Sequence, residues 1–136
     1  MNKIKINDLE FGKINEKNIQ PILEEKFNKL INNNDINKYH SIDFENDFYG
    51  VEYKRRRCFF GQYQSLMLNK CKIDKAKEYD KRIFFIWHCN DDLYYWELSD
   101  DYKIGKGGTT RRGKNEITDV VYIENKFIKK LSLLAL

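Results

Sequence analysis

The sequence predicts an α/β domain in which a mixed central β-sheet is flanked by helices. Three patterns predict it: an amphipathic helical stretch near the start, a hairpin of alternating residues in the middle, and two apolar, aromatic strands further on. With 136 residues, of which 41% are hydrophobic and 15% aromatic, residues 1–136 suit a single domain with one core.

Composition restricts the class of protein. No apolar run approaches the roughly 20 residues of a membrane span, and Met1–Asn7 lacks the apolar centre of a signal peptide. The sequence therefore predicts an intracellular protein without a membrane partner. The three cysteines are widely spaced and form no CxxC pair, so we expect reduced thiols rather than a disulfide framework or a zinc site.

The first helix is predicted over Asn15–Asn32. Pro21 forces either a kink or a fresh start near Gln20. Apolar residues recur there at the spacing of one helix face: Ile19, Ile22, Leu23, Phe27, Leu30 and Ile31.

The hairpin is predicted within His40–Arg57. His40–Glu45 alternates, Asn46-Asp47 begins a turn, and a second strand follows. A loop with an even number of residues puts Asp43 directly opposite, or one pair diagonal to, Glu52, and alternation puts Lys54 on the face of Glu52. Like charges at such spacing repel unless a cation lies between them, and a hard divalent ion such as magnesium suits oxygen ligands. The alternative is that these are solvated charges on a strand face.

The remaining elements complete an alternating order. Tyr63–Lys81 is predicted as a second helix, with Leu66, Met67, Cys71, Ile73 and Ala76 on its apolar stripe. The strands are predicted at Ile83–Cys89, which is continuous enough to be central, at Leu93–Leu98 and at Asp119–Glu124. The apolar end, Phe127–Leu136, is either a short helix closing the core or a contact in a homodimer.

Positive charge is more informative in its distribution than in its total. The net charge of +4 is too small to indicate an anionic partner, but five of the six arginines lie in Arg55–Arg57 and Arg111–Arg112. The planar fork of arginine suits phosphate contact. Ile104–Lys114 is glycine-rich and basic but lacks the Walker A spacing, so it is either a contact for a nucleic-acid backbone or a solvated loop.

The pattern D, then E-x-K across a hairpin, resembles that of the PD-(D/E)XK phosphodiesterases, which include restriction endonucleases and Holliday junction resolvases. The order helix, hairpin, helix, strand, strand resembles their restriction endonuclease-like core and covers roughly Gly12 to Leu98. The "DF…ExK.R" and "DxLYYWE" patterns are similar to those of small endonuclease-like proteins of large DNA viruses. The chain departs from the motif in having no proline before Asp43 and a short spacing between Asp43 and Glu52.

The resemblance implies a magnesium-dependent endonuclease acting on DNA, with manganese able to substitute. Asp43 and Glu52 would hold the metal, Glu16 would join them through the G-x-x-x-E of Gly12–Glu16, and Lys54 would position or activate the attacking water. The residues implied in nucleic-acid contact are Gln64 and Lys70 at the start of the second helix, together with Arg55, Arg56, Arg57, Arg111 and Arg112. A noncatalytic nucleic-acid-binding protein on the same fold, or a protein-interaction module using the aromatic strands, are the alternatives.

Overall fold

A mixed six-stranded β-sheet forms the centre of the protein, in a computed structural model that describes residues 11–36, 42–109 and 116–136. The third and fourth strands across this sheet are parallel, and its other neighbouring pairs are antiparallel. The strands lie in the order β1 (Ile31–Asn32), β2 (Phe44–Glu45), β3 (Tyr49–Arg55), β5 (Arg82–His88), β6 (Leu93–Glu97) and β9 (Lys129–Lys130).

Within the described ranges, a second, three-stranded antiparallel sheet and two α-helices cover the central sheet. The strands of the second sheet lie in the order β4 (Ser65–Asn69), β8 (Glu116–Glu124) and β7 (Lys103–Thr109). The helices are α1 (Gln20–Phe27) and α2 (Lys70–Ala76). Three short 3-10 turns lie at Asn33–Asp35, Asn125–Phe127 and Leu131–Leu133.

β5 is buried on both faces, which confirms the prediction of a central strand. Phe84 on one face packs in a cluster with Phe27 of α1, and the two rings meet edge to face at 5.0 Å. On the other face, Phe85 and Trp87 pack in a cluster with Ile73 of α2 and with strands β4 and β8 of the second sheet. The molecule is therefore a mixed α/β fold of three layers, with α1 on one side of the central sheet.

The predicted hairpin is present. β2 and β3 are antiparallel, with Phe44 opposite Val51 and Glu45 opposite Gly50, so four residues form the turn. Asn46 closes it, because its Oδ1 accepts hydrogen bonds from the backbone N–H groups of Phe48 (2.9 Å) and Tyr49 (2.8 Å). Residues 40 and 41 of the predicted first strand lie outside the described residues.

The first helix is shorter than predicted. It begins at Gln20, with proline in the first turn where no backbone N–H is needed, and ends at Phe27. Asn28 ends it with a φ of 65° and a ψ of −167°, a backbone conformation that residues other than glycine rarely adopt. The residues from Asn15 to Ile19 form a turn rather than a first helical turn of α1.

The predicted helix at Tyr63–Lys81 is wrong in its first part. Ser65–Asn69 is strand β4, in which Leu66 and Leu68 are buried and the residues between them face outward. This two-residue alternation within SLMLN is typical of a strand, and pairing with β8 satisfies its backbone. Only Lys70–Ala76 is helical, with Ile73 and Ala76 buried.

The glycine-rich segment is also more regular than predicted, since Lys103–Thr109 is strand β7. A Cβ atom on Gly105 would lie 2.7 Å from Cε2 of Tyr122, so the ring of Tyr122 occupies the space that a side chain would need. The absence of a side chain at Gly105 therefore permits close packing of β7 on β8. The predicted strand Asp119–Glu124 is part of the longer β8.

The end of the chain closes the core without forming the predicted α-helix. Ile128, Leu131 and Leu134 are buried, while the backbone alternates between two 3-10 turns and β9. Cys58 and Cys89 are buried, Cys71 is exposed, and all three are free thiols. None of the helices in the described ranges is long and apolar enough to cross a membrane.

Candidate active site

The hairpin brings Asp43 and Glu52 together. Continuing the β2–β3 register by one residue places Asp43 opposite Glu52, which is the arrangement predicted from the loop length. Lys54 lies on the same face of β3 as Glu52, and its Nζ is 3.7 Å from Glu52 Oε2. Val51 and Tyr53, which alternate with them, belong to the core on the α1 side of the sheet.

Glu52 is the most unusual residue of the site. Its side chain is 1% exposed, and in the described part of the chain neither of its carboxyl oxygens has a hydrogen-bond partner. Burial, and next the neighbouring charge of Asp43, raise the pKa of Glu52 to about 8, against the opposing effect of Lys72 and Lys54. At neutral pH the metal-free protein therefore keeps this carboxyl group largely protonated.

Asp43, in contrast to Glu52, accepts a hydrogen bond at each of its carboxyl oxygens. Its Oδ2 accepts a hydrogen bond from the backbone N–H of Tyr53 (3.0 Å), and its Oδ1 accepts one from Nδ2 of Asn34 (3.2 Å). Its own carbonyl accepts the N–H of Asn33 (2.9 Å), so the 3-10 turn at Asn33–Asp35 is bound to this residue on two sides. Asp43 is 9% exposed and fixed in orientation.

Glu16 approaches the same cluster from the turn before α1. It is exposed, and its Oε1 accepts a hydrogen bond from Asn34 Nδ2. The amide of Asn34 thus joins Glu16 to Asp43. Partial burial, and next the charge of Asp43, raise the pKa of Glu16, while Lys54 and Lys72 lower it.

Lys72 is a site residue that sequence reasoning missed. Its Nζ lies 3.4 Å from Glu52 Oε2, closer than that of Lys54. Neither lysine has hydrogen-bond geometry to the carboxyl group, so both act on it through their positive charge, which lowers its pKa. The alternation of Leu66 and Leu68 could have indicated a strand rather than a helix at Ser65–Asn69. The helix then begins after Asn69, and Lys72 lies in its first turn.

A buried tyrosine–histidine pair supports the segment that carries Glu16. The hydroxyl of Tyr53 lies 2.6 Å from His88 Nδ1 and donates to the carbonyl oxygen of Ile14 at 3.3 Å. Burial, and next the charge of Arg55, lower the pKa of His88 to about 4, so the imidazole is neutral at pH 7. The pair ties β3 and β5 to the chain two residues before Glu16.

The three consecutive arginines have different environments. Arg55 donates to the carbonyl oxygens of Arg56 (2.5 Å) and His88 (2.8 Å) and to Asn90 Oδ1 (2.9 Å). Arg56 donates to the carbonyl oxygen of Met67 at 3.0 Å, and burial lowers its pKa. Arg57 is exposed. Two of the three guanidinium groups therefore donate hydrogen bonds to backbone carbonyl oxygens.

Of the other residues predicted to contact nucleic acid, the structure describes Gln64 and Lys70. Gln64 is exposed in the loop before β4, where its carbonyl accepts the N–H of Asn125. Lys70 forms an ion pair with Asp74 at 2.9 Å, and both line an open cavity of about 330 Å³ between α2 and β8. Arg111 and Arg112 lie outside the described residues.

The oxygens of this site have the chemistry that a divalent cation prefers, although they do not form a ready-made ligand group. Across the described ranges, no set of three or more His, Cys, Asp or Glu side chains is arranged to hold a metal ion. Amide and ammonium groups are the closest neighbours of the three carboxyl groups here. A cation near Glu52 would nevertheless offset both the repulsion from Asp43 and the cost of ionising a buried carboxyl group.

Comparisons of the chain with models of protein families, with curated proteins and with solved structures found no significant match.

Proposed function

We propose that this protein is a magnesium-dependent nuclease that hydrolyses phosphodiester bonds in DNA on a restriction endonuclease-like core. The observation that carries the proposal is the environment of Glu52, an almost fully buried carboxyl group without a hydrogen bond, beside a second carboxylate and between two lysines. Such a raised pKa means that ionising this buried carboxyl group costs free energy, and a purely structural residue would not need a carboxyl group there. Groups perturbed in this way cluster at functional sites.

In this proposal the three acidic residues would bind a magnesium ion. Asp43 and Glu52 would hold it, with Glu16 as a further ligand or as the partner of a metal-bound water. When bound, the ion would lower the pKa of a water molecule and stabilise charge on the phosphate. Release of the proton from Glu52 would accompany binding, because a carboxylate and not a carboxylic acid is the ligand.

The lysines and the asparagine have separate roles in the proposal. Lys54, which is partly exposed, orients the attacking water and offsets negative charge on the reacting phosphate. Lys72 keeps the ionised form of Glu52 accessible by lowering its pKa. Asn34 fixes the relative positions of Glu16 and Asp43 by donating to both.

The order of elements also supports the proposal. A helix, a hairpin carrying D…E-x-K, a second helix and two strands occur in this order, with the short strand β1 and a 3-10 turn before the hairpin and β4 before α2. The parallel pairing of β3 with β5 requires the chain to cross over the sheet between them, and that crossover contains α2 and Lys72. The resemblance to PD-(D/E)XK enzymes is thus compatible with the mixed sheet.

The test is DNA cleavage by the purified protein with magnesium, with manganese, and with EDTA as the control. We expect cleavage with either metal and none in EDTA, and loss of cleavage in Glu52→Gln. Duplex, junction, flap and single-stranded DNA should all be offered. Binding of DNA without cleavage in any metal would favour the noncatalytic alternative, and an absence of binding at low salt would favour a protein-interaction module.

A further inference from the structure

Two exposed aromatic rings lie in the loop that follows β3, residues 56–64. Phe59 and Tyr63 are each 59% exposed, although rings of this size usually bury most of their surface. Phe60, between them in sequence, behaves in the usual way: it is partly buried and stacks on Tyr94 with the ring centroids 4.2 Å apart and 19° between the planes.

The loop is held in place on several sides, so the exposure of the two rings is part of an ordered conformation. The N–H of Phe60 donates to Asp91 Oδ1 (2.9 Å), and Asn125 Nδ2 donates to the carbonyl of Tyr63 (2.6 Å). Within the loop, Gln62 bonds to the backbone of Phe59 in both directions, at 3.1 and 3.2 Å. Gly61 adopts a φ of 91°, which other residues rarely allow.

The rings lie close to the candidate active site along the chain. Phe59 is five residues beyond Lys54, so its Cα is within about 18 Å of that of Lys54. The exposed Arg57 lies between them, and Arg56 ties the start of the loop to Met67 at the strand that leads into α2. The exposed rings therefore follow directly after a run of positive residues that begins at Lys54.

We propose that Phe59 and Tyr63 stack unpaired nucleobases next to the scissile phosphate, so that the substrate carries a single-stranded segment there. This inference rests on the proposed function and specifies its substrate class. Proteins bind single strands with little regard to sequence by combining basic groups that contact the backbone with aromatic faces on which bases stack. In an intact duplex the faces of the bases are already covered by their neighbours. Because hydrogen bonds already hold the loop in one conformation, less conformational entropy is lost when a strand binds.

The experiment measures binding in EDTA, where no cleavage is needed, by fluorescence anisotropy of a labelled oligothymidylate and of a labelled duplex. Phe59→Ala and Tyr63→Ala should each weaken single-strand binding about tenfold and leave duplex binding within about twofold. Phe59→Trp should retain it. Phe48→Ala is the matched control, because Phe48 is 71% exposed on the β2–β3 turn and should change neither affinity.

Unchanged single-strand affinity in both alanine variants, or an equal loss for duplex, would overturn the inference. So would a change from dimer to monomer on gel filtration in Phe59→Ala, since the rings would then contact a second copy of the chain. If Phe59→Ala and Tyr63→Ala weaken single-strand binding but the protein cleaves no substrate, only the nuclease proposal is contradicted. Cleavage of duplex and single strands that is insensitive to both substitutions would sink the stacking proposal alone.

Discussion

At the scale of single residues, Glu52 makes stability depend on pH. Its pKa is raised from 4.5 to about 8, so the folded metal-free protein holds a proton that the unfolded chain releases. The stabilising contribution of the protonated group is complete below pH 4.5 and is lost as pH rises towards about 8. Because each pKa unit is worth roughly 1.4 kcal/mol, we expect a loss on the order of a few kcal/mol.

Urea unfolding in EDTA at pH 5 and pH 8 measures this loss. Glu52→Gln cannot ionise and should lose much less stability between these two pH values, so that it exceeds the wild type at pH 8. Glu78→Gln, at an exposed position after α2, is the control and should follow the wild type. Parallel curves for wild type and Glu52→Gln would contradict the raised pKa.

The two lysines near Glu52 should differ in what their removal changes. Lys54→Ala should lower turnover by about a hundredfold or more while metal and DNA binding stay nearly intact, because an interaction made mainly in the transition state affects rate rather than affinity. A loss of DNA affinity of about 1 kcal/mol is expected from removing a partly solvated charge beside a phosphate. Glu52→Ala should lose both metal binding and activity.

Lys72→Ala should raise the pKa of Glu52 further, and therefore shift the pH profile of cleavage upward rather than abolish cleavage. Single-turnover rates across pH, together with calorimetric metal titration, separate the two lysines. Lys75→Ala, at an exposed position of the same helix, is the control. A Lys54→Ala protein that cuts at the wild-type rate would show the E-x-K resemblance to be coincidental.

At the scale of elements, Arg55 at the end of β3 and Arg57 beyond it should have different roles. Arg57→Ala should reduce the slope of log affinity against log salt by about 1, because an exposed arginine neutralises one phosphate. Arg55→Ala should instead destabilise the fold, since it removes the donor to Asn90 Oδ1 and one of the two donors to the carbonyl of His88. Salt titrations of DNA binding and thermal unfolding of both variants distinguish these effects. An equal reduction of slope with no loss of stability in Arg55→Ala would return that residue to the nucleic-acid interface.

At the scale of the whole molecule, the central sheet should depend on both of its covered faces. Phe84 and Phe85 are adjacent and fully buried on opposite faces of β5, so replacing either with alanine should cost about 3–5 kcal/mol of unfolding free energy. Phe48→Ala, on an exposed ring, should cost little. Urea denaturation checks all three variants, and a small loss at either Phe84 or Phe85 would mean that only one face is packed.

The sequence by itself determined the features that depend on local spacing. Alternation and loop length were sufficient to place Asp43 either opposite Glu52 or one pair diagonal to it, and the unbroken apolar run from Ile83 was sufficient to mark the central strand. Such features follow from the two-residue period of a strand and the geometry of its turn, which neighbouring residues decide.

Tertiary structure decided the features that depend on distant partners. Ser65–Asn69 is a strand because β8, about 50 residues later, pairs with it, and Lys103–Thr109 is a strand because Tyr122 packs over Gly105. Lys72 reaches Glu52, and Arg55 is bound to His88, only because β3 and β5 lie side by side. The pattern of residues along a segment sets its local preference. The free energy of burial and of strand pairing comes from contacts with residues far away in sequence, and in these two segments those contacts decided the structure.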